Sequence, residues 1–242
     1  MESMQGKPSP PPKPVSEVWR PELVRLPNLT WLRRAFRVFA HGLLKFVSWA
    51  CLKISVDGAE TIPHTGPLLI VINHLGDADT PAVVANLPSP PDALGKIELY
   101  DLPILGKLMD WYGVIWLHRG QPDKRALRAA LDGLAEGRII IIAPEGRYSL
   151  TGALEEGGAG AAFLALKSGA SVLPIVVTGT ENDHVYGHMK RLRRAPVRIR
   201  VGKILRLSGQ AEGRKEALSL GTKRIMQALA DLLPEQYRGE YS

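Results

Sequence analysis

The chain is short of several things that would decide its class at once. It has one cysteine, Cys51, among 242 residues, so no intramolecular disulfide framework can form and a reducing compartment is expected. It has no run approaching the ~18 apolar residues of a membrane-spanning helix. Its first 20 residues, MESMQGKPSPPPKPVSEVWR, lack the apolar core of a signal peptide. Being Pro-rich and polar, residues 1–20 are expected to form a disordered or extended arm on a protein made and kept in the cytosol. Acidic residues are absent from 28–55 altogether.

What remains is ordinary globular usage, 45% apolar and 23% charged, with enough chain for one sizeable core. A formal charge of +7 favours anionic partners: phosphorylated small molecules, acidic lipid surfaces or nucleic acid. Charge alone does not choose among them.

The acid-free stretch has a clear period. Leu32, Phe36, Phe39, Leu43, Val47 and Ala50 recur at helical steps and form one face. Arg33, Arg37, His41 and Lys45 form a second, cationic face, with Trp31 and Trp49 near the ends. One reading is an amphipathic helix over 28–55 lying in a membrane interface, each cation near an anionic leaflet adding roughly 1 kcal/mol. The other is a domain helix that packs its apolar stripe on the core and leaves its charges in water.

From residue 56 to 242 the pattern reads as one domain. Short aliphatic runs predict strands at 68–72, 113–117, 138–143, 172–177 and 197–201. Helical patterns lie between them at 81–86, 102–111, 124–136 and 158–167, with a last one at 212–232. Such alternation predicts an α/β fold, a central and largely parallel sheet flanked by helices and preceded by the N-terminal amphipathic helix. The Pro-rich stretch 87–95 reads as a flexible flap.

The chemistry concentrates after the first of these strands, in Asn73-His74-Leu75-Gly76-Asp77-Ala78-Asp79. His74 stands at a strand end, and Asp79 precedes Thr80-Pro81, where a helix starts. A turn through Gly76 brings the carboxylate back to the ring. An imidazole held by an acid at one nitrogen can take a proton at the other, which suits a substrate hydroxyl as nucleophile. The spacing also allows a packed histidine with Asp79 or Thr80 as a helix cap, or a metal site of His74, Asp77 and Asp79. The latter lacks a companion cluster, because His184 and His188 sit in a basic stretch.

Three further blocks follow in order: Gly113-Val114-Ile115-Trp116-Leu117-His118-Arg119, then Ala143-Pro144-Glu145-Gly146-Arg147-Tyr148-Ser149, then the apolar run around Pro174. With the H-x4-D block they resemble the glycerolipid acyltransferase family, in its bacterial 1-acylglycerol-3-phosphate acyltransferase branch, over residues 56–202. The resemblance implies that His74 is the general base and Asp79 its partner. It implies that the acyl donor is an acyl-CoA or acyl-carrier protein thioester and the acceptor a lysolipid, first of all 1-acyl-sn-glycerol-3-phosphate. Arg119 would bind phosphate, Glu145 and Gly146 would belong to the acceptor site, and no metal or tightly bound cofactor is called for. The chain also departs from the family pattern. Arg147 stands where the third block usually has threonine and Tyr148 where it has arginine, while His118 replaces an acid before Arg119. Arg147 is therefore expected to supply the missing charge, and another lysophospholipid or a glycolipid is the alternative acceptor.

The basic run Lys190-Arg191-Leu192-Arg193-Arg194 has no interleaved aromatic, so nucleic acid is not expected as a partner. Taken together, the expectation is a peripheral enzyme at the cytoplasmic face of a membrane, held through 28–55. The alternative of another class is a non-catalytic lipid- or nucleic-acid-binding module.

Overall fold

The computed structural model describes residues 11–120, 122–208 and 213–242. The first ten residues of the expected arm, and position 212 where the last helix was expected to start, lie outside the described residues.

The chain builds a seven-stranded sheet from β1 (Leu52–Asp57), β2 (Leu68–Ile72), β3 (Asp92–Lys96), β4 (Ile115–Leu117), β5 (Ile139–Ile142), β6 (Ser171–Thr178) and β7 (Ala195–Val201). Their order in space is β1-β7-β6-β2-β5-β3-β4, parallel throughout except for the antiparallel β6–β7 pair. Around it run α1 (Trp31–Cys51), α2 (Asp79–Ala85), α3 (Leu105–Tyr112), α4 (Lys124–Ala135), α5 (Gly160–Ser168), α6 (Asn182–Lys190) and α7 (Arg214–Ala230).

The aliphatic strands are buried on both faces, and the two-residue period of a strand divides them between two cores. Leu69, Val71, Ile140, Val172 and Val176 pack with α4, α5 and α7 on one side. Leu68, Ile70, Ile72, Ile141, Leu173, Ile175 and Val177 pack with α2 on the other. The sheet thereby brings the C-terminal ends of β2, β5, β3 and β4 side by side along one edge, where loops in parallel sheets collect ligands.

Several expectations need correction. The predicted helix over 28–55 stops at Cys51, and Leu52 begins β1 directly, an edge strand whose alternating Leu-Lys-Ile-Ser-Val-Asp is half exposed. The expected flap contributes β3, which pairs with β4 and β5 although Gly and Asp are poor strand formers. A further helix, α6, occupies the stretch read as polar and basic. Residues 11–20 of the arm hold no regular secondary structure and are pinned to the domain. Ser16 N–H donates to Arg119 O (3.1 Å), Arg119 N–H to Ser16 Oγ (2.8 Å) and Arg147 Nη1 to Pro11 O (2.7 Å).

The largest surprise is how α1 sits. The middle of its cationic face, Arg37 and His41, meets the protein, while Lys45 is exposed and the apolar face turns away. Arg37 is buried against Asp92, which also pairs with Arg138 (3.3 Å), and donates to Pro90 O (2.8 Å). His41 Nε2 bonds Val84 O (2.9 Å), and burial lowers the pKa of that ring. The apolar side is left in the open: Phe39 is 65% and Trp49 62% exposed, and Trp31, Leu32, Val38, Leu43, Phe46 and Val47 are exposed with them. Arg37 and His41 are thus unavailable to a leaflet, because their partners lie within the fold. Among the described residues no helix is long and apolar enough to cross a membrane.

Candidate active site

β2 delivers the first functional residues. At its end the Asn73 amide exchanges two hydrogen bonds with Val177 of β6, donating to the carbonyl (2.9 Å) and accepting from the N–H (2.8 Å), which fixes the strand terminus. His74 follows. Its backbone N–H donates to Glu145 Oε1 (2.9 Å) and its carbonyl accepts from Ser149 N–H (2.8 Å), so the loop after β5 grips it from both sides.

Asp79 opens α2 and is completely buried. Its Oδ2 accepts from His74 Nδ1 (2.8 Å), Leu75 N–H (2.5 Å) and Gly76 N–H (2.8 Å), while Oδ1 is buried without a hydrogen-bond partner. The turn through Gly76 that this requires is tight: a Cβ there would stand 2.3 Å from Thr180 O. Asp79 is therefore bonded to the ring it was expected to orient, and it is more than a helix cap. The His74 side chain is 21% exposed, and no hydrogen bond reaches its Nε2 among the described residues. A neutral imidazole that donates through Nδ1 in this way presents one lone pair outward at Nε2.

The third block holds this arrangement in place. Both Glu145 oxygens are taken by backbone amides, Oε1 by His74 and Oε2 by Glu155 (2.8 Å). Burial pushes its carboxyl up to about 7. The structure thus places Glu145 as a brace under His74 rather than as an open acceptor contact. Gly146 makes the turn with φ 71° and is exposed beside it. Arg147, expected to replace a missing charge, is buried instead. Its Nε and Nη2 bond Glu155 Oε2 (both 2.8 Å) and its Nη1 is capped by Pro11 O.

Tyr148 is the neighbour of the imidazole, its ring edge-on at 4.3 Å between centroids. Its hydroxyl donates to Asp77 Oδ1 (2.5 Å), and Tyr186 of α6 donates to Oδ2 (2.9 Å). The Tyr148 bond above all holds Asp77 below its usual carboxylate range, while burial and that same bond push the phenol up. Asp77 is thereby committed to the two phenols, and the described residues hold no group of three or more His, Cys, Asp or Glu placed to bind a metal ion. Lys96, at the end of β3, lies 5.7 Å from the Tyr148 ring centre. Arg119, after β4, faces Glu98 (3.7 Å), and its Nε is buried without a hydrogen-bond partner. Dyad, Tyr148, Lys96 and Arg119 accordingly follow one another along the strand ends of β2, β5, β3 and β4.

Sequence reasoning missed Lys96, one residue past the supposed flap, and the Asp77–Tyr148–Tyr186 triangle, which joins three separated segments. It also missed a second H-x4-D pair. His118 Nδ1 bonds Asp123 Oδ2 at 2.8 Å, and Asp123 caps α4 by accepting from Arg125 and Ala126 N–H. That spacing was legible in the sequence. There, however, Nε2 accepts from Arg20 N–H (3.0 Å) and the Trp19 ring lies 4.4 Å away.

Residues 53–178 match the family model described as Acyltransferase. A 1-acyl-sn-glycerol-3-phosphate acyltransferase of Borreliella burgdorferi is 30% identical over 148 residues, 60% of this chain and 59% of that protein. One from Chlamydomonas reinhardtii is 29% identical over 216 residues, 86% of this chain and 61% of the relative. The chain thus spans about three fifths of the length of these curated relatives. The crystal structure of the 1-acyl-sn-glycerophosphate acyltransferase PlsC from Thermotoga maritima superposes with a TM-score of 0.62 at 22% identity, covering 84% of each chain, and so shares the fold.

Proposed function

The chain belongs to the acyltransferase family, and from that premise we propose that it moves a fatty acyl group from an acyl thioester to the free hydroxyl of a lysolipid. The acceptor best supported is 1-acyl-sn-glycerol-3-phosphate, the substrate named for both curated relatives. One observation carries the reading: His74 has its inner nitrogen bonded to a buried carboxylate and its outer nitrogen unengaged.

In the proposed reaction the acceptor hydroxyl gives its proton to His74 Nε2 as its oxygen attacks the thioester carbonyl. Asp79 keeps the Nδ1 proton in place and stabilises the imidazolium. The tetrahedral intermediate then collapses, the C–S bond breaks, and the leaving thiolate takes the proton back from His74. The products are an ester and a free thiol. General-base help of this kind is worth ~10²–10⁴-fold, the remainder coming from holding two substrates together. The scheme draws on no metal or tightly bound cofactor, and the donor is acyl-CoA or acyl-carrier protein.

Arg119 and Lys96 supply the positive charge on the acceptor side of the dyad, and a guanidinium suits a phosphate by paired hydrogen bonds. We place the protein peripherally at the cytoplasmic face of a membrane. The exposed apolar side of α1 supports this, continued by Ile104, Leu105, Leu108 and Trp111 on and beside α3, whose Trp111 meets Phe36 at 5.7 Å. A second acceptor class is favoured by one feature. Tyr148 stands where the family pattern has arginine and Arg147 is paired to Glu155, so a lysolipid without a bare phosphomonoester remains a competitor.

The test is acyl transfer from both donor types to a panel of lysolipids. Lysophosphatidic acid should be acylated best, and Arg119→Ala should raise its KM about tenfold or more while sparing neutral acceptors. A preference for neutral acceptors that Arg119→Ala leaves unchanged would transfer the assignment to the second class.

A further inference from the structure

The basic run 190–194 plays no part in the reaction above, yet its geometry is unusual. It forms the C-terminal end of α6 and the turn into β7. Leu192 N–H donates to Met189 O (2.9 Å) and Arg193 N–H to His188 O (3.0 Å), the double closure of a helix end whose left-handed position is normally glycine. Here that position is Leu192, with φ 53°, the one non-glycine of positive φ among the described residues. It is 97% exposed. A leucine at this point packs on nothing and strains the turn, so folding gives no reason for it.

Its surroundings supply one. Lys190, Arg191, Arg193 and Arg194 are all exposed, and none is in an ion pair with a carboxylate among the described residues. No Asp or Glu occurs from position 184 to position 211. Arg194 joins the turn to the outward face of α1, its Nε donating to Leu52 O (2.9 Å) and its guanidinium 5.4 Å from the Trp49 ring centre. An apolar tip ringed by cations, continuous with an exposed apolar helix face, complements a bilayer surface: hydrocarbon for the tip, phosphate for the ring.

We infer that this turn is a second lipid-contact element, in which Leu192 enters the interface and Lys190, Arg191 and Arg193 engage anionic phospholipid headgroups. It rests on the peripheral membrane reading given above and adds selectivity to it, since α1 presents apolar surface to any bilayer and this turn discriminates by charge.

The experiment measures partition of the full chain onto vesicles of phosphatidylcholine alone, and of phosphatidylcholine mixed equally with phosphatidylglycerol. Each cation near an anionic surface is worth about fivefold in partition, so Arg191→Gln with Arg193→Gln should weaken binding to the mixed vesicles about 20- to 30-fold. Binding to the neutral vesicles should hardly change. Leu192→Gly should weaken binding to both by about tenfold and leave thermal stability equal or higher, because glycine suits the left-handed turn. Phe39→Ser in α1 is the control, and it should reduce binding to both vesicles with the lipid preference intact. If Phe39→Ser reduces binding while the double arginine variant keeps its preference for the mixed vesicles, the turn is not a lipid reader and α1 still is an anchor. If the native chain binds neither vesicle, both readings fall. Loss of stability in Leu192→Gly would give the leucine a folding role and overturn its part. Retention of vesicle binding with loss of binding to an oligonucleotide or an acidic protein would replace lipid with that partner.

Discussion

The two H-x4-D pairs, His74–Asp79 and His118–Asp123, are close copies at short range. In each the inner ring nitrogen meets a carboxylate at 2.8 Å and that carboxylate lies at the start of a helix. They part company at the outer nitrogen. His74 leaves it unengaged, whereas His118 has it occupied by Arg20 N–H under the Trp19 ring, with 7% of the side chain exposed. The same local motif is therefore a candidate base in one place and a fastening for the N-terminal arm in the other. Chemistry here is set by what covers the imidazole, a property of the fold and not of the spacing.

The comparison breaks most visibly in activity. His74→Ala should lower kcat/KM for lysophosphatidic acid by ~10²–10⁴-fold with circular dichroism unchanged, while His118→Ala should stay within about threefold of the native value. Equal losses in steady-state assays would mean that the two pairs do not differ in role.

Next comes the brace that only the first pair has. The Glu145 carboxyl keeps its proton to about pH 7 in the folded protein, whereas the unfolded chain releases it near 4.5. The native state thus binds more protons across that window, and this contribution to stability is complete below 4.5 and fades as pH rises through 7. A shift of that size corresponds to about 3 kcal/mol in order of magnitude. Thermal melts between these pH values should show the decline, and Glu145→Gln, which cannot titrate, should flatten it. An unchanged slope in the variant would assign the proton uptake elsewhere.

The smallest effect concerns the cover itself. Trp19→Ala should let diethyl pyrocarbonate modify His118 about tenfold faster, as expected for loss of a contact worth about one hydrogen bond, while the rate at His74 stays constant. Peptide mapping of the modified histidines distinguishes the two sites.

These contrasts also mark how far the sequence could be read. The aliphatic runs of β2, β5 and β6 were plain because strands buried on both faces are dense in Leu, Ile and Val, interrupted only by Pro174 in β6. The dyad was legible because its partners are five positions apart, within reach of one turn. β1 was lost in the helical period because no Gly, Pro or Asn separates it from Cys51. β3 was lost because its stability comes from Asp92 meeting Arg37 and Arg138, residues 55 and 46 positions away. The same long-range pairs turned α1 over. Nothing local announces that Arg37 will find its acid 55 positions along the sequence. Arg147 was misjudged for a like reason, its charge being answered by Glu155 and the arm.

The inverted seating of α1 has a consequence for ionic strength. The helix is fastened to the body by a buried ion pair, which dissolved salt screens weakly, and its outward side is mainly apolar, with Arg34 and Lys45 the exposed charges on it. The cations of the 190–194 turn stand in solvent, where a Debye length of about 8 Å at physiological salt shortens their reach. Concentrated electrolyte should consequently silence the turn and spare the helix, leaving the molecule afloat on one keel, indifferent to the charge of the lipids beneath it.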